Sequence, residues 1–523
     1  MSGPVKIFIG IFLAFSLVFP LGNMLFNMAG TDIGAVFVSN QFREALRHSI
    51  VASGIVTLIS IFFAWFFALA VVRSNMRFRN IFAVLGTVPM LIPSISHGMG
   101  LVILLGSNGI LTRLFGLQGT IYGFWGIIAG SVLYAFPVAF LMLSDILVYE
   151  DDAPYEAAKV LGIPKANQFF SITFPYLRKP LISVIFAVFT LIFTDYGVPL
   201  TIGGRYTTLP VLMYQEVIGL LNFSRGSVIG SFLLIPALAA FLFDLFNKDK
   251  GNMNFTIQQR NIPNNRIRDW TASLYSMVVC SIIALPLVLF AVLCFIKNYP
   301  TDMSFSVNNI FKTLNLGAGR YLINSVIIAL AVSILGTALS YTIACFTARN
   351  PEQSPNASSR LLHLVSITSL AVPGLVLGIS YALFFKGYFI YGTLAMLILV
   401  NIIHFMASPY LMAYNSLGKI NPYLEDVGQT LGVRRLFIIR DVLIPQTKLT
   451  ILEMLSFFFV NSMMTISAVS FLSTVRNKPV SLMINQFEAN LFLEGAAFIS
   501  ILILLCNLAV KLIVYLVRHF SKE

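Results

Sequence analysis

Apolar runs of about 20 residues recur along this chain, and no other feature constrains its fold as strongly. A helix of that length crosses the hydrocarbon core of a bilayer, at 1.5 Å per residue over about 30 Å. Twelve such runs can be marked, six on each side of a polar stretch. The first six lie at about 7–28, 48–72, 81–106, 119–143, 180–204 and 226–246. The second six lie at about 272–297, 322–346, 362–386, 392–416, 450–472 and 493–517. A β-barrel is excluded, because its strands need only about 10 alternating residues. Charged residues make up 11% of the 523, against about 25% in soluble domains. The expectation is an all-α membrane protein with twelve transmembrane helices in two tandem six-helix halves.

Charge sets the orientation. With both termini in the cytosol, 23 of the 34 Lys and Arg fall on the cytosolic side and 11 on the other. That is the positive-inside bias, and the inverted topology would reverse it. Arg73, Arg77 and Arg79 mark the first inner loop, and Lys248, Lys250, Arg260, Arg266 and Arg268 the polar stretch. The net charge of +13 is thus accounted for by topology, and no nucleic-acid partner is expected. The first run lacks a clear cleavage site and reads as a retained span. Residues 247–270, rich in Asn, Gln and charge, read as a cytosolic linker between domains 1–246 and 271–523. The longest outer segments, 29–47 and 298–321, are too short for a folded domain, so any substrate-capturing protein is a separate chain.

The halves share more than their span number. Glu156 precedes Gly162 by six positions, as Asp426 precedes Gly432, and Ile172–Pro175 matches Val442–Pro445. The offset is constant, since 432 − 162 and 445 − 175 both equal 270. Asp151, Asp152 and Pro154 suit a helix start, as does Asn421-Pro422, and each glycine suits a left-handed helix stop. The loops 144–179 and 417–448 therefore read as helix–glycine turn–helix elbows, the second arm ending before Pro175 or Pro445. The repeat extends to Pro93 and Gly98 against Pro373 and Gly378, and to Pro137 against Pro409. Prolines within spans either kink a packed helix or break it where it lines a path.

This elbow resembles the EAA loop of ABC-importer permeases, Glu-Ala-Ala, three residues, Gly, nine residues, Ile-x-Leu-Pro. The first copy matches at Glu156, Ala157, Ala158, Gly162, Ile172 and Pro175. The second has Asp426, Val427 and Gly428 where the first has Glu-Ala-Ala, and retains Gly432 and Pro445. The resemblance implies a type I importer fold in a prokaryotic plasma (inner) membrane. It also implies elbows that dock two copies of a cytosolic ATPase subunit, and a solute-binding protein outside. Gly428 in a helix interior costs roughly 1 kcal/mol relative to alanine, so the second elbow is expected to be softer. Arg434 and Arg435, which follow its turn, are expected to add contacts to the ATPase.

The chain shows no chemistry of its own. It lacks a GxxxxGK[ST] phosphate loop, so it is not expected to be an enzyme, and ATP hydrolysis falls to a partner. The five histidines, His97 and His404 among them, show no ligand spacing, and Cys280, Cys294, Cys345 and Cys506 lie in apolar runs. No metal and no cofactor are expected. The unusual intramembrane residue is Asp195, followed by Tyr196-Gly197-Val198-Pro199. A carboxylate there either faces a cavity or partner, or lies near enough to the interface to be solvated. Thr465 stands 270 residues on, with Asn461, Ser462 and Ser467 around it, so these join Asp195 and Tyr196 as candidates for the translocation path. Thr194–Gly204 and Ser462–Leu472 resemble segments of fused ferric-iron and 2-aminoethylphosphonate permeases. Importers of thiamine, sulfate or polyamine remain alternatives, as does a proton-coupled secondary transporter with an internal repeat.

Overall fold

The structure is a computed structural model that describes residues 2–116, 121–246, 262–349, 357–421 and 423–520. Residues 247–261 of the expected linker, including Lys248, Lys250 and Arg260, lie outside the described residues, as does Pro422. Among the described residues nine helices are long and apolar enough to cross a membrane, or up to twelve if each of three bent pairs is one span. The bends are 109° between Ser358–Ala371 and Gly374–Phe384, 52° between Leu394–Phe405 and Ala407–Gly418, and 79° between Arg435–Gln446 and Lys448–Met464.

The bends follow local chemistry. Pro373 stands just ahead of Gly374–Phe384 in extended backbone, φ −60° and ψ 147°. Pro93 does the same before Ser94–Leu105, φ −58° and ψ 149°. A ring locked near −65°, with no N–H to donate, can begin a helix but cannot continue one. The run expected as one span at 81–106 is therefore interrupted, ending a first piece at Val88–Leu91 and restarting at Ser94. Pro409 lies in the first turn of Ala407–Gly418, at a bend, whereas Pro137 sits inside an unbroken helix, Phe124–Val148. The two prolines share a position in the repeat but not a shape.

The chain divides into two compact units that do not follow its order. One comprises Met1–Ser39, Leu212–Leu234 and Asn308–Glu523, the other Asn40–Val211 and Ile235–Val307. In the first unit the N-terminal helices are keyed to the second half. The buried Tyr381 hydroxyl donates to Ser16 O at 2.6 Å, beside the π turn Ala14–Val18. Phe15 meets Phe384 and Phe385 edge-on, with centroids 5.4 and 5.5 Å apart. In the other unit, Phe67 packs edge-on against Phe136 and Phe140. Tyr275 there donates to Phe63 O, and Tyr299 to Ile103 O and Asn108 O.

The helix expected from residue 272 begins earlier, as Arg266–Leu293, because Asn265 caps it by accepting from Arg268 N–H at 3.2 Å. Asn75 fastens this start, donating its amide to Ile262 O and Asn264 Oδ1 and its backbone N–H to Asp269 Oδ1. The segment 298–321 also holds structure unforeseen from sequence, a hairpin of Ile296–Asn298 and Asp302–Phe305. The Ser304 hydroxyl and the Lys297 ammonium hold the Asp302 carboxyl well below the usual carboxylate range. Leu221 and Leu491, 270 apart, take left-handed backbone, φ 53° and 56°, just before the last helix of each half. Leucine gives no turn signal, so sequence reading passes over them.

The glycines of the broken spans serve close packing. A Cβ at Gly98 would lie 2.0 Å from Thr201 Oγ1, and one at Gly378 2.8 Å from Ala468 O. Backbone cannot swing away as a side chain can. Gly378→Ala is therefore expected to destabilise the protein by about 1–3 kcal/mol, the usual cost of overpacking. Thermal unfolding in detergent, compared with Gly54→Ala where nothing lies within 4 Å, measures it.

Candidate functional site

Two parts of the molecule make up the candidate site. The first is the elbow pair. In the first copy the helix is Ala153–Val160, with Pro154 in its first turn and Asp151 Oδ1 accepting from Ala153 N–H. Gly162 then takes φ 68°, donating to Lys159 O at 3.0 Å while Ile163 N–H reaches Ala158 O at 2.9 Å. That is a Schellman stop, closed by left-handed backbone that only glycine adopts without strain. In the second copy the helix is Leu424–Thr430, Gly432 has φ 72°, and Val433 N–H reaches Gly428 O at 2.8 Å.

Burial repeats with the same offset. Tyr155 and Ala158 are buried while Glu156 and Ala157 are exposed; Glu425 and Gly428 are buried while Asp426 and Val427 are exposed. Spacing of three puts each pair on one helix face. Beyond the acidic side each elbow exposes an apolar tip: Val160 and Leu161 are 88% and 74% exposed, Leu431 and Leu436 73% and 65%.

The second arms differ from expectation. Pro175 does not end its helix. The chain runs from Lys165–Gln168 through a π turn, Phe169–Thr173, into Phe174–Phe193. The other copy has a matching π turn at Ile439–Leu443, with Pro445 just beyond, and then bends at Thr447. A proline has no N–H to return to the preceding turn, and the wide turn ahead of it absorbs the mismatch. Gly428 is not simply a soft point, since a Cβ there would lie 2.3 Å from Ile438 Cδ1. It lets the two arms close on each other. Arg435 points inward, donating to Cys345 O at 3.1 Å and Arg349 O at 2.6 Å, with its guanidinium 5.7 Å from the Phe346 ring centre. Arg434 remains exposed.

The second piece is the break at Asp195. The helix Phe174–Phe193 stops, and a short helix, Gly197–Ile202, follows. The Asp195 carboxylate accepts from Gly197 N–H at 3.3 Å, from Val198 N–H at 3.1 Å and from the Ser94 hydroxyl. It caps the short helix and ties it to the start of Ser94–Leu105. Tyr196 is buried beside it. The matching break in the second half is built differently. Lys448–Met464 ends at Thr465, whose carbonyl accepts from Ser481 Oγ at 2.7 Å. Asn461 donates to Phe457 O in the preceding turn. Ser462 Oγ is buried without a hydrogen-bond partner, and Ser467 packs against Gly374. Asp195 and Tyr196 belong to one compact unit and these four residues to the other. No group of three or more potential metal ligands occurs among the described residues.

Comparison with known proteins gives a match to the family described as binding-protein-dependent transport system inner membrane component, over residues 58–248 and again over 340–520. The chain is similar to the ferric transport system permease protein FbpB of Actinobacillus pleuropneumoniae, 26% identical over 88% of this chain and 69% of that protein. A putative ferric transport system permease protein of Haemophilus influenzae is 25% identical over 85% of this chain and 73% of its own. The thiamine transport system permease protein ThiP of Escherichia coli is 22% identical over 92% and 90%.

The bonds of Asp195 yield a test. Asparagine caps a helix as well as aspartate, whereas alanine forfeits about 1 kcal/mol or more. Asp195→Asn is expected to match the native protein in thermal stability, and Asp195→Ala to fall below it. Equal stability of the alanine variant would remove Asp195 from the capping role.

Proposed function

This chain belongs to the family of inner membrane components of binding-protein-dependent transport systems, as the permease of an ABC transporter, and we propose that it forms the cargo path of an importer driven by a separate ATPase. The observation that supports the coupling role is the elbow pair. Two Schellman turns 270 residues apart each present an exposed acid, Glu156 or Asp426, beside an exposed apolar tip. Two elbows call for two ATPase copies. Each copy covers one tip, with Glu156, Ala157, Gly162 and Pro175 forming one docking surface and Asp426, Gly432, Arg434 and Pro445 the other. The inward bonds of Arg435 and the packing of Gly428 give those two residues a supporting place behind the surface.

The positive-inside bias puts both elbows and both termini in the cytosol. Along the chain, 1–246 and 271–523 are the two permease domains and 247–270 the segment that fuses them. A solute-binding protein on the other side delivers cargo. Asp195 and Tyr196 in the first half, and Asn461, Ser462, Thr465 and Ser467 in the second, are the proposed path residues. The cargo best supported is ferric iron, after the relatives from Actinobacillus and Haemophilus. The segment Thr194–Gly204 keeps 2-aminoethylphosphonate beside it. Thiamine is a second reading, favoured by the similarity to the Escherichia permease over 92% of this chain.

Placing a charge on an apolar tip tests the docking surface. Leu161→Asp or Leu431→Asp is expected to weaken ATPase retention by about 2 kcal/mol, roughly 30-fold, the effect of losing an interface hot spot. Affinity purification of the assembled complex measures it, and undiminished retention in both variants would remove the tips from the interface. Cells expressing the whole system are expected to accumulate radioactive ferric iron; accumulation of labelled thiamine instead would select the second reading.

A further inference from the structure

Two ion pairs lie behind the elbows, one buried and one with its arginine 15% exposed, and the sequence repeat does not account for them. Arg73 directly follows the long helix Asn40–Val72. Its guanidinium donates to Leu147 O at 3.0 Å, at the end of Phe124–Val148, and to Glu150 Oε2. The other Glu150 oxygen accepts the Tyr155 hydroxyl, from the buried face of the elbow helix. That hydroxyl also lies 2.7 Å from Thr173 Oγ1, the last residue of the π turn. One polar chain therefore joins the end of a long helix, both arms of the elbow and the helix that follows.

The second half reaches the same wiring with different residues. Arg349 directly follows Gly319–Ala348. Its Nε donates to Glu425 Oε1 at 2.7 Å and its Nη2 to Glu425 Oε2, a two-point fork. Nη1 donates to Ile420 O and Nη2 to Asn421 O, both at 2.7 Å. Arg435, at the start of the other elbow arm, donates to Arg349 O. Glu425 occupies the place of Tyr155, since 425 − 270 = 155, so the acid itself sits on the elbow helix. The Arg349 and Glu425 side chains are 4% and 9% exposed.

Such pairs are poor glue and good registers. Desolvation offsets most of their attraction, while the Arg349 fork on Glu425 fixes distance and angle together, and Arg73 is held by one bond to Glu150 and one to the Leu147 carbonyl. Both bind the same two kinds of element, the end of a long helix and the elbow, although their acids differ in position. We propose that Arg73–Glu150 and Arg349–Glu425 are positioning pairs that make each elbow and the long helix of its own half move as one body. This rests on the elbows docking an ATPase. The pairs then pass the displacement of a docked elbow directly into the transmembrane region.

Spin labels on the complete ATPase-bound complex test this without needing the cargo. Labels at Asp441→Cys in the elbow arm and Thr342→Cys on Gly319–Ala348 report one distance inside the second half, with Cys506→Ala removing the only cysteine that is not fully buried. Addition of a non-hydrolysable ATP analogue is expected to leave that distance unchanged. In Arg349→Lys, which keeps the charge and loses the fork, the same addition is expected to shift or broaden it beyond its native width. Arg349→Met with Glu425→Leu replaces the pair by apolar packing and is expected to behave like Arg349→Lys. A native distance that changes with nucleotide, or variants indistinguishable from native, overturns the proposal. Failure of any ATPase to co-purify with the native chain instead overturns the docking reading on which it rests.

Discussion

Backbone hydrogen bonding in a medium without water is the constraint on which the rest of this structure depends. Inside a bilayer an unpaired N–H or C=O costs several kcal/mol, so long helices are the default and every interruption must be closed on the spot. The interruptions here are closed by identifiable means. Pro93 and Pro373 bring no N–H to satisfy at the point where a helix restarts. The Asp195 carboxylate takes up the free amides of Gly197 and Val198. The π turn Ala14–Val18 lies beside the point where the Tyr381 hydroxyl meets Ser16 O. These breaks fall in segments 92–98 and 194–203, and in 372–378 and 465–472.

The elbows show how one geometry can rest on different side chains. Their glycine stops, π turns and buried faces recur at one offset, because each is a property of the backbone path. The residues behind that path are exchanged. Tyr155 and Ala158 fill the buried face in one copy, Glu425 and Gly428 in the other. A glycine that lowers helix propensity in isolation lies where an added Cβ would stand 2.3 Å from Ile438 Cδ1, so a larger residue there displaces the Ile438 side chain. Tertiary packing thus adds a steric role to Gly428 beside its low propensity.

Function in such a permease lies in the linkage between parts more than in any reactive group. The side chains with specific geometry are those that hold elements in register: Arg73 and Arg349 behind the elbows, Asp195 at a helix break. The chain is similar both to ferric and to thiamine permeases.

The sequence by itself determined the features that depend on chain-local physics. Run length dictated the membrane helices, and the glycines at 162 and 432 dictated the left-handed stops, because few other residues tolerate that backbone. The offset of 270 fixes both elbow positions along the chain. Tertiary structure alone decided which compact unit each helix joins, so that residues 1–39 pack with the second half and 266–293 with the first. It also decided that Arg435 turns inward, that Glu425 rather than Asp426 is the buried acid, and that Asp195 is engaged by Ser94. An arginine or carboxylate looks the same in sequence whether it faces solvent or a partner nearly a hundred residues away. Only the packing that removes water from one of those surroundings makes the choice.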